Sequence, residues 1–152
     1  MKSKRLLFRE EGLTMIELLA VIVILSIIAA IAVPAIGKIV ENNRIKAAKS
    51  EAIIALEAAQ LYFAETPVDY GREYQAATIP NLINEGYMSG GGYLNNTSYI
   101  TNVTPAKICA RTEGRSKVTF YNATAEEIVN SNNDLHVGNE ACGDPLLTPP
   151  IK

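Results

Sequence analysis

From Leu18 to Val33 every residue but Ser26 is apolar or Ala. Extended to Leu13 and Ile36, the run is 24 residues, roughly 36 Å of helix and enough to cross a bilayer core. Beyond Gly37 the pattern changes. Ile45, Ala48, Ala52, Leu56, Ala59 and Phe63 recur at three-four spacing, which predicts an amphipathic helix rich in Ala, the best helix former. Thr66-Pro67 ends it, because proline cannot continue a helix and disfavours helix in the residue before it. One helix over about 13–64 is predicted, on the order of 78 Å if unbroken. The remaining residues are too few to cover it. Its first half must therefore lie in lipid or in a bundle of identical helices. Pro34 and Gly37 are its weak point: the proline removes one backbone hydrogen bond, and glycine lowers helix propensity by about 1 kcal/mol relative to Ala. A mild kink and a segment able to unwind are both compatible with that pair.

After the helix the chain turns polar. The stripe on 45–63 needs a further layer to bury it. β-branched and aromatic residues predict short strands at Tyr99–Val103, Lys107–Arg111 and Lys117–Tyr121, with a weaker one at Leu135–Val137. Glu113-Gly114-Arg115 fits a turn. A short helix is expected near Pro80–Glu85, closed by Gly86. Thr124 and Glu127 form a capping-box pattern opening another. Ser89-Gly90-Gly91-Gly92 reads as a flexible linker, since no Lys-Ser/Thr follows to make a phosphate loop.

Charge sharpens the picture. Residues 1–12 carry Lys2, Lys4, Arg5 and Arg9 against Glu10 and Glu11, a net +2, so residues 13–152 carry a net −4 out of the chain total of −2. A basic start before an apolar run keeps the N-terminus cytoplasmic while the downstream chain is exported. Three readings fit: a secretory signal cut at Ala30-Ile31-Ala32, a plain membrane anchor, or a specialised leader. Glu17 separates them. An acid within a span costs about 2.5–3.5 kcal/mol or more, and such a residue usually has a partner. The two cysteines, Cys109 and Cys142, imply one disulfide in an exported chain and two free thiols in a cytosolic one.

Gly12-Leu13-Thr14-Met15-Ile16-Glu17, the apolar run and Pro34 together resemble the leader and N-terminal segment of type IV pilins and pseudopilins. Leu13 and Met15 depart from that family's usual Phe and Leu. The resemblance implies an α+β, pilin-like fold, a long N-terminal helix whose second half packs on a small antiparallel sheet. It implies a leader, 1–12, removed by a prepilin peptidase/methyltransferase between Gly12 and Leu13, with Leu13 then N-methylated. Residues 13–37 would be the transmembrane and filament-core half of the helix. Residues 38–152 would be a globular head, comprising helix to 64, a connecting loop 65–96, and sheet with a C-terminal loop 97–152. The family often closes that loop by a disulfide, here Cys109–Cys142. Glu17 would guide assembly by pairing with the N-terminal ammonium of a neighbour. The family places such a subunit in the cell membrane first, leader inside and head outside, and then in an extracellular filament. Its partners would be copies of itself, membrane lipid and the inner-membrane assembly machinery.

No enzymatic activity is expected: the sequence holds no H-E-x-x-H, G-x-S-x-G or phosphate loop. No cofactor or metal is expected either, because two cysteines and His136 fall short of four ligands. The net charge lends no electrostatic support to DNA binding. Asn95, Asn96, Asn102 and Asn122 each begin an Asn-x-Ser/Thr match that reads as polar loop composition. The tail from Pro145 to Pro149-Pro150 reads as loosely held. A pilus subunit is the leading reading. A DNA-uptake or type II secretion pseudopilin, and a membrane-anchored or secreted binding module unrelated to filaments, are the alternatives.

Overall fold

A computed structural model describes residues 10–66, 75–114 and 116–143, with side chains from Thr14 onward. Residues 1–9, which hold most of the expected leader, Pro67, Arg115 and the tail from Asp144 lie outside the described residues. The order of elements is α1 (Glu10–Glu65), β1 (Ala76–Thr78), α2 (Ile79–Asn84), β2 (Tyr99–Thr101), β3 (Lys107–Arg111), β4 (Thr119–Ala123), α3 (Ala125–Asn130) and β5 (His136–Val137). The fold is α+β and pilin-like. The chain divides into two compact units within α1, one ending at Val40 and the other beginning at Glu41.

In the first unit, α1 continues through Pro34 without a break in its helical assignment. Its large apolar side chains are uncovered: Met15 is 72% exposed, Ile22 53%, Ile31 70% and Ile36 57%. Every side of the helix is apolar, so no single face could be hidden against a sheet.

The second unit is built on the amphipathic part of α1. All six residues of the predicted stripe, Ile45, Ala48, Ala52, Leu56, Ala59 and Phe63, are buried, and Ala55 and Ala58 join them. Alanine dominates the stripe, so the helix backbone can lie close to the sheet. Ile100, Ile108, Val118 and Phe120 supply the bulk from the other side, all fully buried.

The sheet runs in sequence order, β1-β2-β3-β4-β5. The first three pairings are antiparallel and β4–β5 is parallel. An all-antiparallel sheet is thus amended at one edge. The connection over 124–135 contains α3 and is long enough to bring the chain back in the same direction. Thr124 caps α3 with the predicted box: Glu127 N–H donates to Thr124 Oγ1 (3.3 Å), and Thr124 N–H donates to the Glu127 carboxylate (2.8 Å).

Other boundaries shift for local reasons. β4 begins at Thr119 because Lys117 and Val118 belong to the turn, where Val118 N–H donates to Thr112 Oγ1 at 2.8 Å. β1 reads only Ala-Ala-Thr, with no strand signal of its own; pairing with β2 makes it a strand. The Ser89–Gly92 turn is anchored rather than free. Glu51 on α1 accepts a hydrogen bond from Tyr93 N–H. Gly92 has φ +55°, and a Cβ there would collide with the Glu51 carboxylate. Glycine meets both demands without strain and leaves Glu51 where it holds the turn.

Lys49 is the buried exception on the stripe, 6% exposed. Its ammonium donates to Ser131 Oγ (2.7 Å), Asn132 O (2.8 Å) and Ser131 O (3.4 Å), at the C-terminal end of α3. A cation there meets the negative end of the helix. Burial pushes its pKa below the ordinary lysine value, against a counter-pull from Asp134.

The C-terminal segment has little apolar content and is fastened by polar and covalent links. Cys109 and Cys142 form a disulfide, as expected for an exported chain. Asn122 Nδ2 donates to Ala141 O (3.0 Å), and Lys107 pairs with Glu140 (2.7 Å). Tyr99 OH donates to Gly143 O. Asn122 also donates its N–H to Cys109 Sγ at 3.3 Å from a left-handed backbone, φ 47°, that Asn tolerates better than most residues.

Two outcomes are expected for the chain in detergent micelles. Lys49→Met keeps the apolar stem but strips three acceptors of their donor, which should lower unfolding free energy at pH 7 by about 1–3 kcal/mol. The folded pKa of Lys49 is depressed, so the unfolded chain binds more protons between that value and 10.5. Wild-type stability relative to Lys49→Met should therefore rise as pH rises through that window, and urea titrations across it check both the loss and the sign. Separately, reducing Cys109–Cys142 should cost about 3–4 kcal/mol by the chain-entropy argument. Peptide mapping without reductant should recover the two cysteine peptides linked, and full alkylation of both thiols without prior reduction would refute the bridge.

Candidate functional site

The N-terminal part of α1 concentrates the residues singled out in the sequence. Gly12 and Leu13 lie within α1, which begins at Glu10, ahead of the expected Leu13 start. A helical backbone therefore runs across the Gly12-Leu13 junction. Glu17 follows Leu13 by four residues, slightly more than one turn, so its Cα sits about 6 Å along the axis from that of Leu13. It is the sole ionisable residue from Leu13 to Gly37, and its side chain is exposed in the single chain.

The other polar groups here are quiet. Ser26 Oγ donates to Ile22 O at 2.6 Å, so this hydroxyl is satisfied within its own helix and places no demand on a partner. Glu17 differs in kind. A carboxylate is acceptor-only when ionised, and apart from Thr14 the residues within one turn of it are apolar. From Leu13 to Gly37 Glu17 is the one carboxylate, set near the start of an otherwise uncharged stretch.

Pro34 and Gly37 stand a turn apart. Pro34 lacks the N–H that would bond to the Ala30 carbonyl. Gly37 is not demanded by packing: a Cβ built there meets nothing within 4 Å, and its φ is not positive. Within the single chain nothing else explains a glycine there. Local backbone softness and close approach by something outside the chain are the uses left to it. Lys38 and Glu41 then restore charge, and the apolar run ends.

Thr14 to Glu65 contains a stretch long and apolar enough to cross a membrane. Cys109 and Cys142 belong to the second unit, where the fold brings together residues 33 positions apart. His136 is exposed on β5, its ring centroid 6.1 Å from that of Tyr121.

Three residues that matter to the head were not singled out by the sequence. Lys49 sits four after Ile45 and three before Ala52, in register with the buried stripe, so its periodicity was the available signal. Glu51 and Asn122 had none, because their partners come from distant loops.

Residues 7–33 match the family model for the prokaryotic N-terminal methylation motif, which spans the Gly12-Leu13 junction, Glu17 and most of the apolar run. Neither curated proteins nor solved structures yield a match to the chain. From Thr14 onward the motif lies on the uncovered apolar part of α1, and the head beyond it has the helix-on-sheet layout expected of the same family. By that motif and that architecture the chain is pilin-like, carrying the signature of type IV pilins and pseudopilins.

Proposed function

We propose that this protein is a structural subunit of a type IV pilus or pilus-like filament, working by polymerisation and not by catalysis. The observation that carries the reading is the uncovered apolar surface of α1 from Met15 to Val40 with Glu17 as the one charge before Lys38. Exposed apolar surface of that extent is unstable in water. Lipid before assembly and identical helices after it are the two environments that hide it.

The steps are those that the resemblance to type IV pilins implies for these residues. A peptidase of the membrane cuts between Gly12 and Leu13, and the new α-amino group of Leu13 is methylated. A methylated amine still carries a proton. Glu17 of one subunit then meets the ammonium of a neighbour as the helices pack. A buried ion pair contributes little net stability, but an unpaired buried charge is strongly unfavourable, so the pair selects one axial stagger over others. Pro34 and Gly37 lower the cost of unwinding α1 locally when the subunit leaves the bilayer for the filament. The head suits the far side of the membrane, since it is closed by a disulfide, a bond that persists in oxidising surroundings.

Terminal sequencing of the mature protein should begin at Leu13 and find it N-methylated; a start at Val33 would instead mark an ordinary secretory signal and remove the filament reading. A further expectation concerns Glu17→Gln, which keeps size and helix propensity. The variant should insert and be cut normally, yet accumulate in the membrane fraction with filament yield down at least about tenfold, since leaving one charge unpaired costs several kcal/mol. Sheared-filament yield beside membrane content measures it. Wild-type yield would show that Glu17 only reaches to the headgroups.

A further inference from the structure

Successive side chains of a strand point to opposite faces of a sheet. Ile100, Ile108 and Phe120 lie in the core with α1, so Tyr99, Cys109 and Tyr121 belong to the outer face. A cavity of about 300 Å³ opens there, with Tyr99, Cys109, Thr119, Tyr121 and Cys142 in its lining. The C-terminal segment crosses this face from strand to strand. Ala141 O is bound by Asn122 of β4, Cys142 is bonded to Cys109 of β3, and Gly143 O is bound by Tyr99 of β2. Both halves of the bridge therefore border the cavity.

The two sulfurs have unlike surroundings. Cys109 is 3% exposed, whereas Cys142 is an exposed residue. Cys109 Sγ accepts the Asn122 N–H at 3.3 Å, and Asn122 Oδ1 lies 3.1 Å from it. Asn122 is itself held, since its Nδ2 donates to Ala141 O at 3.0 Å. Cys142 Sγ has Phe120 O at 3.4 Å. In thiol–disulfide exchange a thiolate reaches one sulfur, and the other leaves with negative charge. Access makes Cys142 the sulfur attacked. The backbone donor favours Cys109 as the one that leaves, because a hydrogen bond strengthens as its acceptor becomes charged. Once Cys109 is protonated, Asn122 Oδ1 is placed to accept from its S–H.

We propose that Cys142 is an exchange site for a small thiol, with Cys109 as the leaving group. The external thiol gives its proton to water and attacks Cys142 Sγ as a thiolate. A new S–S bond forms to Cys142 while the Cys109–Cys142 bond breaks, and the electron pair of that bond goes to Cys109 Sγ. The Cys109 thiolate then takes a proton from water. One thiol and one disulfide are consumed and one of each is made, so no further oxidant or reductant is needed. The C-terminal segment carries the mixed disulfide and keeps its noncovalent ties, Glu140 to Lys107, Ala141 to Asn122 and Gly143 to Tyr99. A surrounding thiol thus marks and loosens this segment while the sheet stays folded. The site needs the bridge and not the filament reading.

The test uses the full chain in detergent micelles, first shown by mapping without reductant to carry the bridge. It is exposed briefly to millimolar reduced glutathione at about pH 8, where a thiol is partly thiolate. Acid halts exchange, and peptide mapping by mass spectrometry locates the glutathione. It should sit on Cys142 at least about tenfold more often than on Cys109, with Cys109 a free thiol in the same molecules. The neutral thiol 2-mercaptoethanol should show the same preference, because access and leaving group set it. In urea sufficient to unfold the head the preference should vanish. Comparable labelling of both cysteines in the folded protein, labelling chiefly at Cys109, no mixed disulfide at all, or a preference that survives unfolding would each overturn the proposal.

Discussion

The whole molecule turns on how α1 is buried. Over its first part every side is apolar, and over its second part only an alanine-rich stripe is. The stripe is satisfied within the chain, because one face of a helix can be covered by one sheet. The first part cannot be, since covering a helix on all sides takes lipid or several other helices. The same element therefore makes the head a stable fold and leaves a surface that is unstable alone in water.

The head solves a related problem at its other end. Its core is thin on the side of β4 and β5, where the last strand has two residues and the following segment is polar. The disulfide, the Asn122 amide, the Lys107–Glu140 pair and the Tyr99 hydroxyl all converge on residues 140–143. Lys49 does similar work across the core, bracing α1 against the end of α3. Polar links replace hydrophobic area where the sequence supplies little of it. Such links are directional, so they fix the position of the segment as well as holding it.

Those links explain where sequence reasoning reached and where it stopped. The stripe from Ile45 to Phe63 was legible because helix geometry imposes a period that survives without any partner. The capping box at Thr124 and Glu127 was legible because both groups lie within one turn. Glu17 was legible as a lone charge against an apolar background. β1 was not: Ala-Ala-Thr becomes a strand only through its ladder with β2. The parallel pairing of β5 depends on where the 124–135 connection returns, which no local preference sets. Glu51 and Asn122 acquire meaning from residues far along the chain.

Composition and periods of a few residues are enough to establish a basic N-terminal stretch, a helix apolar all round, an amphipathic continuation and two cysteines suited to an exported protein. These properties are local and need no partner to be read. Folding had to bring distant stretches together before Lys49 could be buried on the core stripe, before Glu51 could clasp the glycine-rich turn, and before Tyr99, Cys109, Tyr121 and Cys142 could share one cavity. The free energy that makes those stretches meet is spread over the whole core rather than carried by the residues that touch, so no local pattern announces them.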